Sequence, residues 1–253
     1  MSMFEIVFSP TGGTQKVSGL VAGALDKNTV TVDLTDSGLD FHGVSMAKGD
    51  VAVISVPSYA GRVPAVAVER LGMVRGNGAR AVLVCVYGGR AFEDTLIELE
   101  DVAKRAGFRV VAAVSAIAEH SVARQFAAGR PDAQDVAQLS EFAQRIRQKL
   151  LDGAASEPSI PGNRPYKQAG GHSMVPHATE DCVSCGACAA LCPVRAIDKD
   201  DPRQVDGEAC ISCMRCVSVC SQNARKLDPN KLAAVTQMLS KVCVVRKECE
   251  LFI

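Results

Sequence analysis

Phe4-Glu5-Ile6-Val7-Phe8-Ser9-Pro10-Thr11-Gly12-Gly13-Thr14 opens the chain with an apolar run of strand length and a turn rich in hydroxyls and glycine. Val17, Leu20, Val21 and Leu25 then recur at helical spacing. A strand–turn–helix junction of this composition is a phosphate cradle: free amides at the helix start face an anion, and hydroxyls complete its shell. No Gly-Lys-Ser/Thr closes the loop, so it is not a Walker A motif, and no G-x-G-x-x-G is present, which argues against NAD(P). A hydroxyl-rich loop without lysine suits a phosphomonoester such as that of FMN.

Reading outward, four more strand-like runs follow: Val30 to Leu34, Val51 to Val56, Ala81 to Val86 and Val110 to Val114. Their length and branched side chains suit strands buried on both faces. Helical spacing returns at Leu96, Leu99, Val102 and Ala103, and again over about Asp135 to Leu151. Five strands alternating with helices predict an α/β doubly wound parallel sheet with right-handed crossovers over residues 1–151. Gly153, Pro158, Pro161, Gly162, Pro165, Gly170, Gly171 and Pro176 then break all periodicity, so 152–178 reads as a linker, part of it docking on a domain. Residues 179–230 form a cysteine module, and 231–253 a C-terminal helix and tail.

Cys182-x2-Cys185-x2-Cys188-x3-Cys192-Pro193 is the bacterial ferredoxin run, and it recurs as Cys210, Cys213, Cys216 and Cys220, each 28 residues after its counterpart. Ala196 and Ala224 share that offset, which implies two halves about a pseudo-two-fold axis. Three cysteines at x2 intervals wrap one corner of a cubane; the fourth begins a helical segment too far away to close on the same cube and ligates the other cluster. Cys182, Cys185, Cys188 and Cys220 are therefore expected to hold one [4Fe–4S] cluster, and Cys210, Cys213, Cys216 and Cys192 the second. A zinc ribbon is the alternative, but its CxxC pairs stand farther apart, and eight cysteines in two four-fold runs would crowd it. Ser221 stands where a proline often follows the fourth cysteine, and removes no ligand.

The 253 residues carry 28 basic and 28 acidic side chains and 47% hydrophobic residues, an ordinary soluble globular composition. Balanced charge gives no basic footprint for nucleic acid. No apolar run reaches the ~20 residues of a membrane span, and the start lacks a basic signal region, so a cytoplasmic location is expected. Ten of the eleven cysteines lie between 182 and 249; without an export signal they read as metal ligands rather than disulfides. Cys85, inside a strand, reads as a small buried hydrophobe, and Cys243 and Cys249 as core or surface cysteines rather than a labile pair.

Ser9-Pro10-Thr11-Gly12-Gly13-Thr14 resembles the flavodoxin phosphate loop, with Ser9, Thr11, Gly12, Gly13 and Thr14 as the residues that would hold it. The resemblance implies strand order 2-1-3-4-5, with FMN at the β1/β3 switch point. It also implies that the loops after the third and fourth strands embrace the flavin: Ser58, Tyr59, Ala60, Gly61 and Arg62 in one, Tyr87, Gly88, Gly89 and Arg90 in the other. Tyr59 and Tyr87 would stack on the ring, and the glycines would admit backbone to its edge. Arg62 or Arg90 would offset charge on a reduced flavin or grip an anion, or would stand solvated at the surface; His120 would reach the flavin or be a plain loop residue. His42, His172 and His177 fall in expected loops without assigned chemistry.

With the cysteine module, resembling a small α+β two-cluster ferredoxin-like domain, nearly the whole chain resembles the fused flavodoxin–ferredoxin proteins common in anaerobic bacteria. Balanced charge over residues 1–150 (16 basic, 16 acidic) and the absence of tryptophan depart from ordinary flavodoxins. The resemblance implies an iron–sulfur flavoprotein relaying single electrons between a low-potential redox partner, such as a ferredoxin or reductase, and FMN. The alternatives are an FMN-dependent reductase of a small-molecule acceptor, and a docking platform whose first domain lacks FMN. No acid/base pair or nucleophile stands out, so no catalytic residue is assigned.

Overall fold

The computed structural model describes residues 2–153, 156–171 and 174–253. His172 lies outside them. Strand β1 (Met3–Val7) leads into helix α1 (Gly13–Leu25), followed by β2 (Thr29–Asp33), β3 (Val51–Pro57), α2 (Ala65–Met73), β4 (Arg80–Tyr87), α3 (Thr95–Arg105), β5 (Arg109–Ile117) and α4 (Ala133–Leu151). All five strands pair in parallel in the order β2-β1-β3-β4-β5, the expected doubly wound sheet.

The branched runs of β1, β3, β4 and β5 are buried because both faces are covered; β2, at the sheet edge, is not the doubly buried strand expected, with Val30 52% exposed and only Val32 of its five residues buried. One core holds Ile6, Phe8, Ile54, Leu83, Leu96 and Leu99; the other holds Val17, Val21, Val53, Val84, Leu139 and Ile146. Helices α1 and α4 pack together on one side, α2 and α3 on the other. Each such side chain contributes roughly 1.5–3 kcal/mol on full burial, so the central strands dominate this half. Cys85 is fully buried in β4, where burial raises its thiol pKa far above the usual value.

The cysteine region carries a two-stranded antiparallel sheet, β6 (His177–Ala178) with β7 (Arg225–Lys226), and two one-turn helices, α5 (Ala187–Ala190) and α6 (Arg215–Ser218). The 28-residue repeat is written into its backbone. Ser184 and Ser212 have φ 52° and 53°, Arg195 and Asn223 have 53° and 51°, and the α5 and α6 caps, Gly186 and Met214, have 75° and 62°. A left-handed methionine costs of order 1–3 kcal/mol, so the surroundings must hold Met214 there. They do: it is 2% exposed.

After β7 comes α7 (Pro229–Val242), started by Asp228 accepting from the Asn230 and Lys231 amides with Pro229 in the first turn. The tail then forms β8 (Glu250–Phe252), antiparallel on the free edge of β5, making the sheet six-stranded. This strand was not anticipated, because three residues at an edge carry no legible period. Cys249 is buried in the second core, its thiol pushed up to about 11 by burial, while Cys243 is half-buried.

The linker docks on α3. Asp94 accepts from the Asn163 and Lys167 amides at 2.8 and 2.7 Å, Arg164 pairs with Asp101 at 2.7 Å, and Tyr166 also donates to Asp101. The two halves are joined by arginines reaching carbonyls: Arg70 to Pro193 at 2.5 Å, Arg195 to Ser37 at 2.6 Å and Arg215 to Pro10 at 3.1 Å. Among the described residues no helix is long and apolar enough to cross a membrane.

Candidate functional site

The eight repeated cysteines line two cavities. One is lined by Cys182, Cys185, Cys188 and Cys220. The other is lined by Cys192, Cys210, Cys213 and Cys216. Each thus draws three cysteines from one run and the fourth from the other. The thiols ring a hole rather than meet at a point: among the described residues no three His, Cys, Asp or Glu side chains are placed to hold a single metal ion. Backbone amides already face the sulfurs, with Ala196 N–H donating to Cys192 Sγ and Ala224 N–H to Cys220 Sγ, both at 3.3 Å. Burial pushes the Cys213 and Cys216 thiols up to about 12, so their thiolates need a bound cation to form near neutral pH. Donor set, shape and amide supply all fit a pair of cubanes.

The Ser9–Thr14 loop sits against this module, with Arg215 donating to the Pro10 carbonyl at 3.1 Å. Gly12, at φ 87°, caps α1 without a side-chain acceptor, and Ser9 Oγ accepts from the Gln15 amide at 2.9 Å. Thr11 and Gly13 line two neighbouring cavities that also share Glu119 and Ser121. The narrower, a cleft of about 60 Å³, is bounded by Thr14, Ser58, Tyr59, Tyr87, Gly88 and His120. The wider, about 360 Å³, is bounded by Lys16, Arg124 and Arg130 and, from the cysteine module, by Met214, Val217 and Ser218. Met214 also lines the cavity of Cys210, Cys213 and Cys216. Burial, and then Cys213, hold the Tyr59 hydroxyl pKa well above the usual value.

Of the flavin-loop residues read from sequence, Thr11, Gly13, Thr14, Ser58, Tyr59, Tyr87 and Gly88 therefore share one cleft. Ser9 and Gly12 shape its loop, whereas Ala60, Gly61, Arg62, Gly89 and Arg90 do not line it. Arg62 is engaged elsewhere, donating through Nε and Nη2 to Glu98, both at 2.7 Å, with its guanidinium over the Tyr166 ring. Arg90 is held by both oxygens of Glu93 at 2.9 Å. A buried carboxylate (Glu98) and a neighbouring one (Glu93) outcompete solvent for these cations. Of the segment after β5 the sequence offered only His120; Glu119, Ser121, Arg124 and Arg130 carry no motif, and Met214, inside the second cysteine run, reads only as spacing between ligands.

His120 does reach the cleft. Gly88 must lack a side chain here, since a Cβ would stand 2.4 Å from the imidazole. Its Nδ1 accepts from the Val122 and Ala123 amides at 3.2 and 3.1 Å. Burial, reinforced by the Arg90 charge, lowers its pKa. Below about pH 6.5 the unfolded chain therefore binds the proton that the folded one resists, so stability falls as pH drops from there toward the folded pKa. His120→Asn keeps an acceptor for the two amides and is expected to flatten this slope; melting temperatures from pH 7 to 5 will show it, and an unchanged slope would count against the assignment.

Comparison with known proteins bears on both halves. Residues 174–238 match the 4Fe-4S dicluster domain model. Iron–sulfur ligation and electron transfer are the function this match carries. No curated protein matches the chain. Among solved structures, the flavodoxin of Streptococcus pneumoniae TIGR4 is 19% identical, covering 58% of this chain and 99% of its own with TM-score 0.41. Flavodoxin 1 of Bacillus cereus is 12% identical, with coverages of 58% and 98% and TM-score 0.42. The flavodoxin of Fusobacterium nucleatum bound to flavin mononucleotide is 17% identical, with coverages of 60% and 96% and TM-score 0.37. The chain joins a parallel sheet of order β2-β1-β3-β4-β5 to a dicluster iron–sulfur region.

Proposed function

We propose that this chain is an iron–sulfur flavoprotein that relays single electrons between a low-potential redox protein and FMN through two [4Fe–4S] clusters. The observation that carries the reading is the shared wall: Met214 lines both a four-cysteine cavity and the wider cavity beside Thr11 and Gly13. When bound, such clusters pass one electron at a time and FMN accepts one or two.

The protein's own residues supply binding and orientation. Cys182, Cys185, Cys188 and Cys220 hold one cluster, and Cys192, Cys210, Cys213 and Cys216 the other. The Gly13 and Thr14 amides at the start of α1, with the Thr11 and Thr14 hydroxyls, hold the FMN phosphate. Tyr59, Tyr87, Ser58 and Gly88, which line the same cavity as Thr11 and Gly13, would hold the flavin ring. Met214 stands at the boundary between the halves.

Protein purified without oxygen should contain about eight iron atoms and one FMN per chain. Thr11→Val and Thr14→Val should each weaken FMN at least tenfold, about 1.4 kcal/mol, while leaving iron unchanged, because each removes a hydrogen bond to a charged phosphate. Full iron content in a protein that neither retains nor rebinds FMN would overturn the relay.

A further inference from the structure

Arg225 is among the largest fully buried side chains of the protein, 2% exposed, and it lines the cavity of Cys182, Cys185, Cys188 and Cys220. Its Nη2 donates to Cys188 Sγ at 3.4 Å and also to the Pro202 carbonyl. Its Nε and Nη1 are buried without any hydrogen-bond partner among the described residues. Arg225 takes part in none of the ion pairs among the described residues. A guanidinium taken out of water with two orphaned donors and no carboxylate is strongly unfavourable unless something anionic completes it. The cavity it lines is where four thiolates would gather around a cluster of net charge about −2.

The internal repeat supplies the comparison. The residue 28 positions earlier is Ile197, equally buried at 5% exposure, and it lines the other cavity. One backbone position thus presents a cation to one cluster and a hydrocarbon to its twin.

Resting on the two-cluster reading, we propose that Arg225 is a potential-setting residue. It raises the reduction potential of the Cys182/Cys185/Cys188/Cys220 cluster above that of its twin, making this the site where an electron first rests. The physics is direct: one-electron reduction adds a negative charge, and a fixed cation hydrogen-bonded to a ligand sulfur favours the more negative form. Arg225 keeps its protons throughout, and no bond forms or breaks. Its charge also bears on Cys210 and Cys216, so the twin cluster feels it, but without a direct hydrogen bond.

The test is an EPR-monitored redox titration of full-length protein purified without oxygen, with a low-potential one-electron reductant and mediators. Iron and sulfide are quantified first on the same samples. Wild type should show two reduction steps. Cys192→Ala, which keeps the cluster beside Arg225, and Cys220→Ala, which keeps the other, assign them. In Arg225→Gln the higher step should fall by at least tenfold in its reduction equilibrium constant, about 59 mV for one electron, and the lower step by less. Arg225→Lys should retain most of the wild-type value. Two steps of equal potential in wild type, or an Arg225→Gln protein of full iron content whose steps do not move or move equally, would overturn the proposal. Absence of iron from wild type would instead sink the two-cluster reading.

Discussion

Cys192→Ala should abolish the cluster of the second cysteine run and spare that of the first, the reverse of what chain order suggests. Cys192 lines the cavity of Cys210, Cys213 and Cys216, and Cys220 that of Cys182, Cys185 and Cys188. A cubane binds one thiolate per iron, so alanine leaves one corner without a ligand and about half of the roughly eight irons is lost. Pairing variants makes the crossing measurable. Cys192→Ala with Cys213→Ala should lose no more iron than either change alone, since both strike one cluster. Cys192→Ala with Cys188→Ala should leave almost none. Iron analysis giving the opposite pattern would place both clusters within single runs. Reduction of FMN by a low-potential donor should slow in the single variants, and unchanged rates would remove the relay.

The second large effect is on stability. Asp135 is fully buried and accepts from Arg130 through Nε at 2.7 Å and through Nη2, and from the Asp132 amide at 2.9 Å. Arg130, 9% exposed, also donates to the Lys247 carbonyl at 2.8 Å, tying the tail to the start of α4. Asp135→Ala strands a buried guanidinium and should cost about 3–5 kcal/mol. For a chain of this size that lowers the melting temperature by roughly 10 °C. Replacing both partners, Arg130→Met with Asp135→Leu, should recover much of the loss, because neither then leaves an uncompensated charge. Calorimetry on samples of matched iron content decides this; a single variant melting with wild type would show that the pair contributes little.

These effects also mark where sequence reading stops. The five parallel strands were legible because each is a continuous branched run, and α4 because its apolar residues keep a helical stripe. The cluster ligands were legible because cubane geometry demands a rigid spacing, here stated twice. Arg62 and Arg90 read either as residues facing the cleft or as solvated cations, but the carboxylates that hold them, Glu98 and Glu93, lie 36 and 3 positions away, and only folding reveals the pairing. Arg225 illustrates the same limit in reverse: in a polar stretch between Asn223 and Lys226 it looks like a surface cation, yet it is buried.

What local order encodes, the sequence determined by itself: the parallel strands, the helices, the glycine turn between β1 and α1, and two sets of thiols. What depends on residues far apart being pressed together, only the tertiary structure decided. The return of β8 to β5, the wall that Met214 shares between two cavities, and the difference between Arg225 and Ile197 all belong there. The reason is physical, since burial, hydrogen-bond partnership and local field at a side chain are properties of its neighbours in space, and a strip of sequence lists only its neighbours along the chain.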